Sequence, residues 1–246
     1  MSYLSADQLK TFGDLLRTFF SLPYSTDLDG KDAETLIRIV KNVTGLRSKR
    51  KELFDIIDGT TGYSVKTLFK LPSAVRVDLQ EQRFCDVEEV RKIRVNADSC
   101  AEQGAILLSY MSNRIKAQMQ QRNIKEARSL ILLKHWDTNR ENFTFRYWEE
   151  DFVGYVNDLV ERNNRGEIEW VGQDAGLHGR DRDRIKLTKP RKSGAAANDE
   201  NVRLLRMHYK HNQIFTDHDI PPDAQKISFN VTPWTWDELS TRLRNL

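Results

Sequence analysis

The sequence predicts an α/β (α+β) chain built on a mixed central sheet flanked by helices. Two observations carry this. The predicted order runs helix, strand, strand, long helix, strand, then further short strands, and the apolar spacing switches along the chain between the helical period and the two-residue period of a strand. With 246 residues, 39% of them apolar and 30% charged, the chain can bury a sizeable core under a polar surface.

Leu9, Phe12, Leu15, Leu16 and Phe19 recur at three- and four-residue spacing, and Ser5 with Gln8 forms a capping-box pattern, so a helix is expected over 5–20. A second helix is expected over 31–44 on Leu36, Ile39, Val40 and Val43, with Gly45 as its stop. Two strands, 53–57 and 63–69, follow around the turn DGTTG. A long helical block over 86–121 should break near Asp98, because Ser99 and Glu102 start a fresh capping box. Its second half carries a core stripe of Ala105, Leu108, Met111, Ile115 and Met119. SLILLKHW and FTFRYW read as strands around DTNREN, followed by a helix over 149–163. EIEWVG, RIKLTK, LLRMHY and KISFNV read as short strands, and a terminal helix over 234–246 should pack on Trp236, Leu239 and Leu243. SGAAANDEN is small, polar and aperiodic, which suits a loop.

The sequence has no apolar stretch that could cross a membrane, and MSYLSADQLKTFG lacks a basic-then-apolar leader. Cys85 and Cys100 form no CxxC pair, so packed thiols in a reduced cytoplasm are expected. No glycine-rich phosphate loop, nucleophile elbow or dinucleotide fingerprint appears, which argues against a nucleotide cofactor. The net charge of +3 identifies no polyanion partner by itself, but its distribution does more. Seven basic side chains between Arg180 and Lys192 meet only Asp181 and Asp183, and four of the five residues from Arg47 to Lys51 are basic.

The stretch DIIDGTTGYSVKTL, residues 55–68, carries the candidate chemistry. Phosphodiester hydrolysis needs a divalent cation, an activated water and positive charge near the developing phosphorane. Because side chains alternate along a strand, Ser64 and Lys66 project from one face. The acid that joins them depends on the hairpin. An even loop puts Asp55 on the face of Lys66, whereas an odd or bulged loop puts Asp58 there with Ser64 and Lys66. Asp58 is favoured, because a residue at the strand end can turn inward with either parity.

At these residues the chain resembles the PD-(D/E)xK nuclease superfamily, and within it the type II restriction endonucleases. The resemblance covers about 31–136: a helix bearing an acid, a hairpin with an Asp and an x-x-K lysine, a long helix and another strand. It implies a restriction-endonuclease-like core at about 31–136 within a single nuclease domain over 1–246, and a DNA-recognition portion at about 165–246. It also implies Mg2+-dependent cleavage of double-stranded DNA by a homodimer. Carried over, Asp58 looks like the metal-binding aspartate, Lys66 like the active-site lysine and Glu34 like the supporting acid on the first core helix. Ser64 stands where the family has its second acid. Some members with S-V-K recover that acid from elsewhere, and Glu81 or Glu34 is the candidate donor.

For DNA contact the sequence offers His178, Arg180, Arg182, Arg184, Lys186, Lys189, Arg191 and Lys192, where arginines two residues apart on a strand would face one side. The same arginines could instead pair with Asp181 and Asp183 on a surface loop. A non-catalytic nucleic-acid-binding protein is the alternative reading, and a zinc site on His208, His211 and His218 is a weaker one. Trp136, Trp148 and Trp170 fall in strand-like runs and are expected in the core.

Overall fold

In the computed structural model, residues 3–44, 53–81, 86–95, 97–173, 176–187 and 199–244 are described. The chain opens with α1 (Ala6–Ser21) and α2 (Gly30–Val40), then the hairpin β1 (Ile56–Asp58) and β2 (Thr61–Phe69), and β3 (Arg76–Glu81). Two helices, α3 (Val87–Val95) and α4 (Cys100–Arg122), lead to β4 (Glu126–Trp136), β5 (Asn142–Asp151) and α5 (Phe152–Asn164). The remainder is β6 (Ile168–Gln173), β7 (Gly176–Asp181), α6 (Arg182–Leu187), α7 (Asp199–Val202), β8 (Arg203–His208), β9 (Gln213–Asp219), β10 (Gln225–Asn230) and α8 (Trp236–Arg244).

The strands make two five-stranded sheets, ordered β1-β2-β4-β5-β10 and β3-β9-β8-β7-β6. The first is mixed: β2 and β4 run parallel, joined through α3 and α4, while its other pairs are antiparallel. The pairings within the second are antiparallel. The predicted mixed α/β class is therefore the observed one. No helix among the described residues is long and apolar enough to cross a membrane.

Each face of the mixed sheet has its own cover. On one face Ile56, Tyr63, Val65, Leu130, Leu132, Phe145 and Tyr147 pack against Phe12, Leu16 and Phe20 of α1 and Ala33, Ile37 and Val40 of α2. On the other, Ile131, Leu133 and Trp148 meet Val77 and Leu79 of β3, so the second sheet is laid over this face. A third cluster joins α3, α4 and α5 to β6, β7, β8 and β9.

Both capping boxes form as predicted: Ser5 and Ser99 accept from the backbone three residues on, and Gln8 and Glu102 reach back. Three helical boundaries differ. Helix α2 ends at Val40, with Asn42 left-handed (φ 55°) two residues later, while Gly45 lies outside the described residues. Strand β5 runs on to Asp151, which caps α5 through Gly154 N–H. The described part of RIKLTK, 184–187, is helical and not a strand: Asp181 accepts from the N–H groups of Asp183 and Arg184 and turns the chain into α6. On α4 the buried stripe includes Gly104 and Leu107, and Ala105 is exposed. Trp148 is fully buried and Trp136 and Trp170 are packed at the core's edge.

Gly104 marks a close approach. A Cβ there would lie 2.0 Å from the Trp170 indole, which is itself held by Asn163 Oδ1 at 2.7 Å. Gly104→Ala gains about 1 kcal/mol of helix propensity, but the ring overlap costs more, about 1–3 kcal/mol of overpacking. Thermal unfolding should therefore show a net loss of a few degrees rather than a gain.

Candidate active site

The loop between β1 and β2 is two residues, Gly59 and Thr60, because Asp58 pairs with Thr61, Ile57 with Gly62 and Ile56 with Tyr63. Gly59 takes φ 56°, the positive value that the first position of a primed hairpin turn favours in glycine. This even loop fixes the faces. The paired register ends at Ile56, opposite Tyr63; Asp55 just precedes β1, and its N–H also donates to Tyr63 O at 2.8 Å. Ser64 and Lys66 share one face of the sheet, and Asp58 belongs to the other with Thr61 and Tyr63. The register therefore separates the favoured Asp58, exposed at the end of β1, from the lysine.

The carboxylate of Asp55 reaches the β1-side edge of β2, where its Oδ2 accepts from Val65 N–H at 2.8 Å. Lys66 Nζ donates to Ser64 Oγ at 2.9 Å, and Ser64 is fully buried. A close backbone approach supports the hairpin here. A Cβ on Gly62 would come within 2.8 Å of Ile124 and 2.9 Å of Phe54, so the position has no room for a side chain.

The parallel partner extends the site. Ser64 pairs with Ser129 of β4, and Ser129 with Glu150 of β5. Ser64, Ser129 and Glu150 therefore form a polar row across the face that elsewhere carries Ile131, Leu133 and Trp148, and Asp55 stands at the β2 end of that row. At the end of the row Glu150 accepts from Trp148 Nε1 at 2.9 Å and meets His218 Nδ1 at 2.5 Å. The buried His218 ring contacts Thr216 Oγ1 at 2.8 Å and stacks on Tyr155 with centroids 4.1 Å apart. This contact joins the two sheets. No family model, curated protein or solved structure matches this chain.

The supporting acids divide by layer. Helix α2, which carries Glu34, packs on the face opposite Lys66, so the fold does not bring Glu34 and Lys66 to one face. Glu81 closes β3, opposite Ile214, and β3 is the strand that crosses the face of Lys66. Among the described residues no group of three His, Cys, Asp or Glu side chains is gathered as a metal site. On the α2 side, buried Glu149 is held by Lys41 at 2.7 Å, by Arg128 at 3.5 Å and by the Tyr147 hydroxyl. Burial and that carboxylate push the Tyr147 hydroxyl well above its usual range. This cluster neutralises itself between the sheet and α2.

In the described part of the arginine segment Arg184 meets Asp181 at 3.3 Å, as the pairing alternative expects, and other partners come from outside the segment. His178 is buried in β7, Arg180 reaches Glu169 at 3.5 Å, Arg184 reaches Asp219 at 2.5 Å, and Lys186 bonds Asp183 at 2.8 Å. Arg182 starts α6 and is exposed. Arg180, Arg182 and Arg184 do not line one side of a strand, because β7 ends at Asp181. Lys189, Arg191, Lys192 and the cluster at 47–51 lie outside the described residues, as do Cys85 and most of SGAAANDEN. His208 and His211 stack with centroids 4.5 Å apart, but His218 stands at the far end of β9 against Glu150, so the three histidines do not converge.

Ser129 and Glu150 are residues of this row that sequence reasoning missed, and His218 it considered only for zinc. Glu150 is hidden because the sequence predicts the helix from 149, whereas β5 runs on to Asp151.

Proposed function

We propose that this chain is a Mg2+-dependent type II restriction endonuclease that hydrolyses double-stranded DNA at a specific site as a homodimer. The observation that carries this reading is the hairpin, in which a serine and a lysine share one face of a mixed sheet and an aspartate of the same twelve residues is held on the backbone of their strand. Mg2+ is ordinarily held by one or two carboxylates together with substrate phosphate and water, and the Asp55 carboxylate, at the edge of β2, is the proposed protein anchor. Bound there, Mg2+ would polarise a phosphate and make a water more acidic. Glu81 is the preferred second acid over Glu34, because β3 and not α2 covers the face of Lys66.

The chain's own groups supply the rest. Ser64 Oγ holds the Lys66 ammonium at 2.9 Å, beside the Asp55 position, where it can orient a water and offset negative charge building on phosphorus. Ser64 replaces a carboxylate in the row with a neutral acceptor, so Lys66 has a hydrogen-bond partner there without a second fixed charge. The non-catalytic binding reading is favoured by one feature: among the described residues no three His, Cys, Asp or Glu side chains are gathered as a metal site.

A plasmid digest with and without Mg2+ separates the two. Discrete bands that require Mg2+ support the endonuclease, and a salt-sensitive gel shift with intact plasmid supports the binder. Lys66→Met is expected to lower the cleavage rate about 10²–10³-fold while leaving a gel shift in Ca2+. Glu81→Gln should follow it, and Glu34→Gln should cut at close to the wild-type rate.

A further inference from the structure

Helix α8 has an amphipathic sequence but buries no residue. Trp236 and Leu243 are 63% and 60% exposed, Leu239 between them is half-buried, and Tyr24, 60% exposed, stacks on Trp236 at 6.0 Å. The three α8 residues recur at three- and four-residue spacing, which makes one continuous apolar stripe. Trp234 N–H donates to Ser21 O at 2.7 Å, Thr235 forms a capping box with Glu238 Oε2, and the guanidinium of Arg242 in the last turn folds back over the Trp234 ring at 4.4 Å. Nine residues are too few for a helix to be stable by propensity alone. Burial of that stripe is the missing contribution.

The charges say what covers it. Asp237 and Glu238 occupy the first turn, and Arg242 and Arg244 the last. At about 3.6 residues per turn, Asp237 and Arg244 flank one side of the apolar stripe and Glu238 and Arg242 flank the other. A second α8 laid antiparallel, with its two-fold axis beside Ser240, brings Trp236 of each copy onto Leu243 of the other and the two Leu239 side chains together. The same axis sets Asp237 opposite Arg244 and Glu238 opposite Arg242. A parallel arrangement sets acid against acid and arginine against arginine. The helix is thus its own electrostatic complement only in the arrangement that a two-fold dimer imposes.

We infer that α8 is the seam of a homodimer, in which two copies pair antiparallel through Trp236, Leu239 and Leu243. This rests on the dimer part of the reading above and not on its chemistry. Specific interfaces bury about 1,200–2,000 Å², more than two nine-residue helices provide, so Tyr24 belongs to the interface and the dissociation constant should be on the order of micromolar.

Sedimentation velocity of the full chain over a micromolar concentration series tests the seam without reference to cleavage. The wild type should pass from monomer to dimer, and Leu239→Asp with Leu243→Asp should stay monomeric. Asp237→Lys should weaken the dimer about tenfold, and adding Arg244→Asp should restore most of that loss. Because α8 buries nothing in the protomer, the melting temperature of the monomer should be unchanged in every variant, which separates lost pairing from lost folding. A chain that stays monomeric throughout overturns the dimer and the seam together. A dimer that both apolar substitutions leave intact overturns the seam alone.

Discussion

Asp55→Ala should lower Mg2+-dependent DNA cleavage by about three orders of magnitude, and Asp58→Ala should leave it within a few-fold of the wild type. The expected size follows from the several kcal/mol that a correctly held divalent cation contributes to phosphoryl transfer. The contrast follows from geometry: the two-residue turn sets Asp58 opposite Thr61, on the face away from Lys66, whereas the Asp55 carboxylate is held on Val65 N–H, the residue before Lys66. Both substitutions remove one carboxylate from the same hairpin, so a general electrostatic effect would lower them alike. Single-turnover rates on a plasmid substrate check the prediction. Equal losses, or loss with Asp58→Ala alone, would show that the register does not choose the acid.

Arg203→Met should cost about 3–5 kcal/mol of stability. Arg203 is buried, and its guanidinium holds Asp217 through Nε and Nη2, at 2.6 Å and 3.1 Å, and Asp78 through Nη2, at 2.9 Å. Replacement by an apolar side chain leaves the buried Asp217 without its guanidinium. Burial already pushes the Asp217 carboxyl above its usual range even with Arg203 present. Without Arg203 it rises further. A carboxyl whose folded value lies above its unfolded one is at no disadvantage below the unfolded value, and it costs stability as pH rises through the folded value. The defect should thus be largest at neutral pH and shrink in mild acid, opposite to the acid sensitivity of an ordinary surface ion pair. Urea unfolding at several pH values reads both the size and the sign.

Much of the fold was legible because its signals are local. The capping boxes at Ser5 and Ser99 depend on residues within one turn, and β4 reads as a continuous apolar run because it is packed on both faces, under α1 and α2 on one and β3 on the other. The strands β3, β7 and β9 were not read. In β9, Asp217 and His218 are buried polar groups whose partners, Arg203 and Glu150, come from other strands, so the run QIFTDHD looks like a loop until those strands are in place. In β7 the glycines of GLHGRD hide a strand that needs them: a Cβ at Gly176 would lie 2.5 Å from Met207 O. The candidate site was legible up to one residue of loop length. DGTTG admits either parity, and only the pairing of Asp58 with Thr61 shows that Asp58 lies on the face away from Lys66.

The parallel pairing of β2 with β4 also has a kinetic consequence. The hairpin that holds Asp55, Ser64 and Lys66 closes a two-residue loop and can form in microseconds. Its neighbour Ser129 arrives only after α3 and α4 have folded and the crossover has closed, since Ser64 and Ser129 are far apart in sequence. Non-local parallel pairing of this kind is slow to form. During refolding the hairpin should therefore be protected from hydrogen exchange before β4 is, and competence to cut DNA should lag the appearance of the hairpin by the time the crossover needs to close.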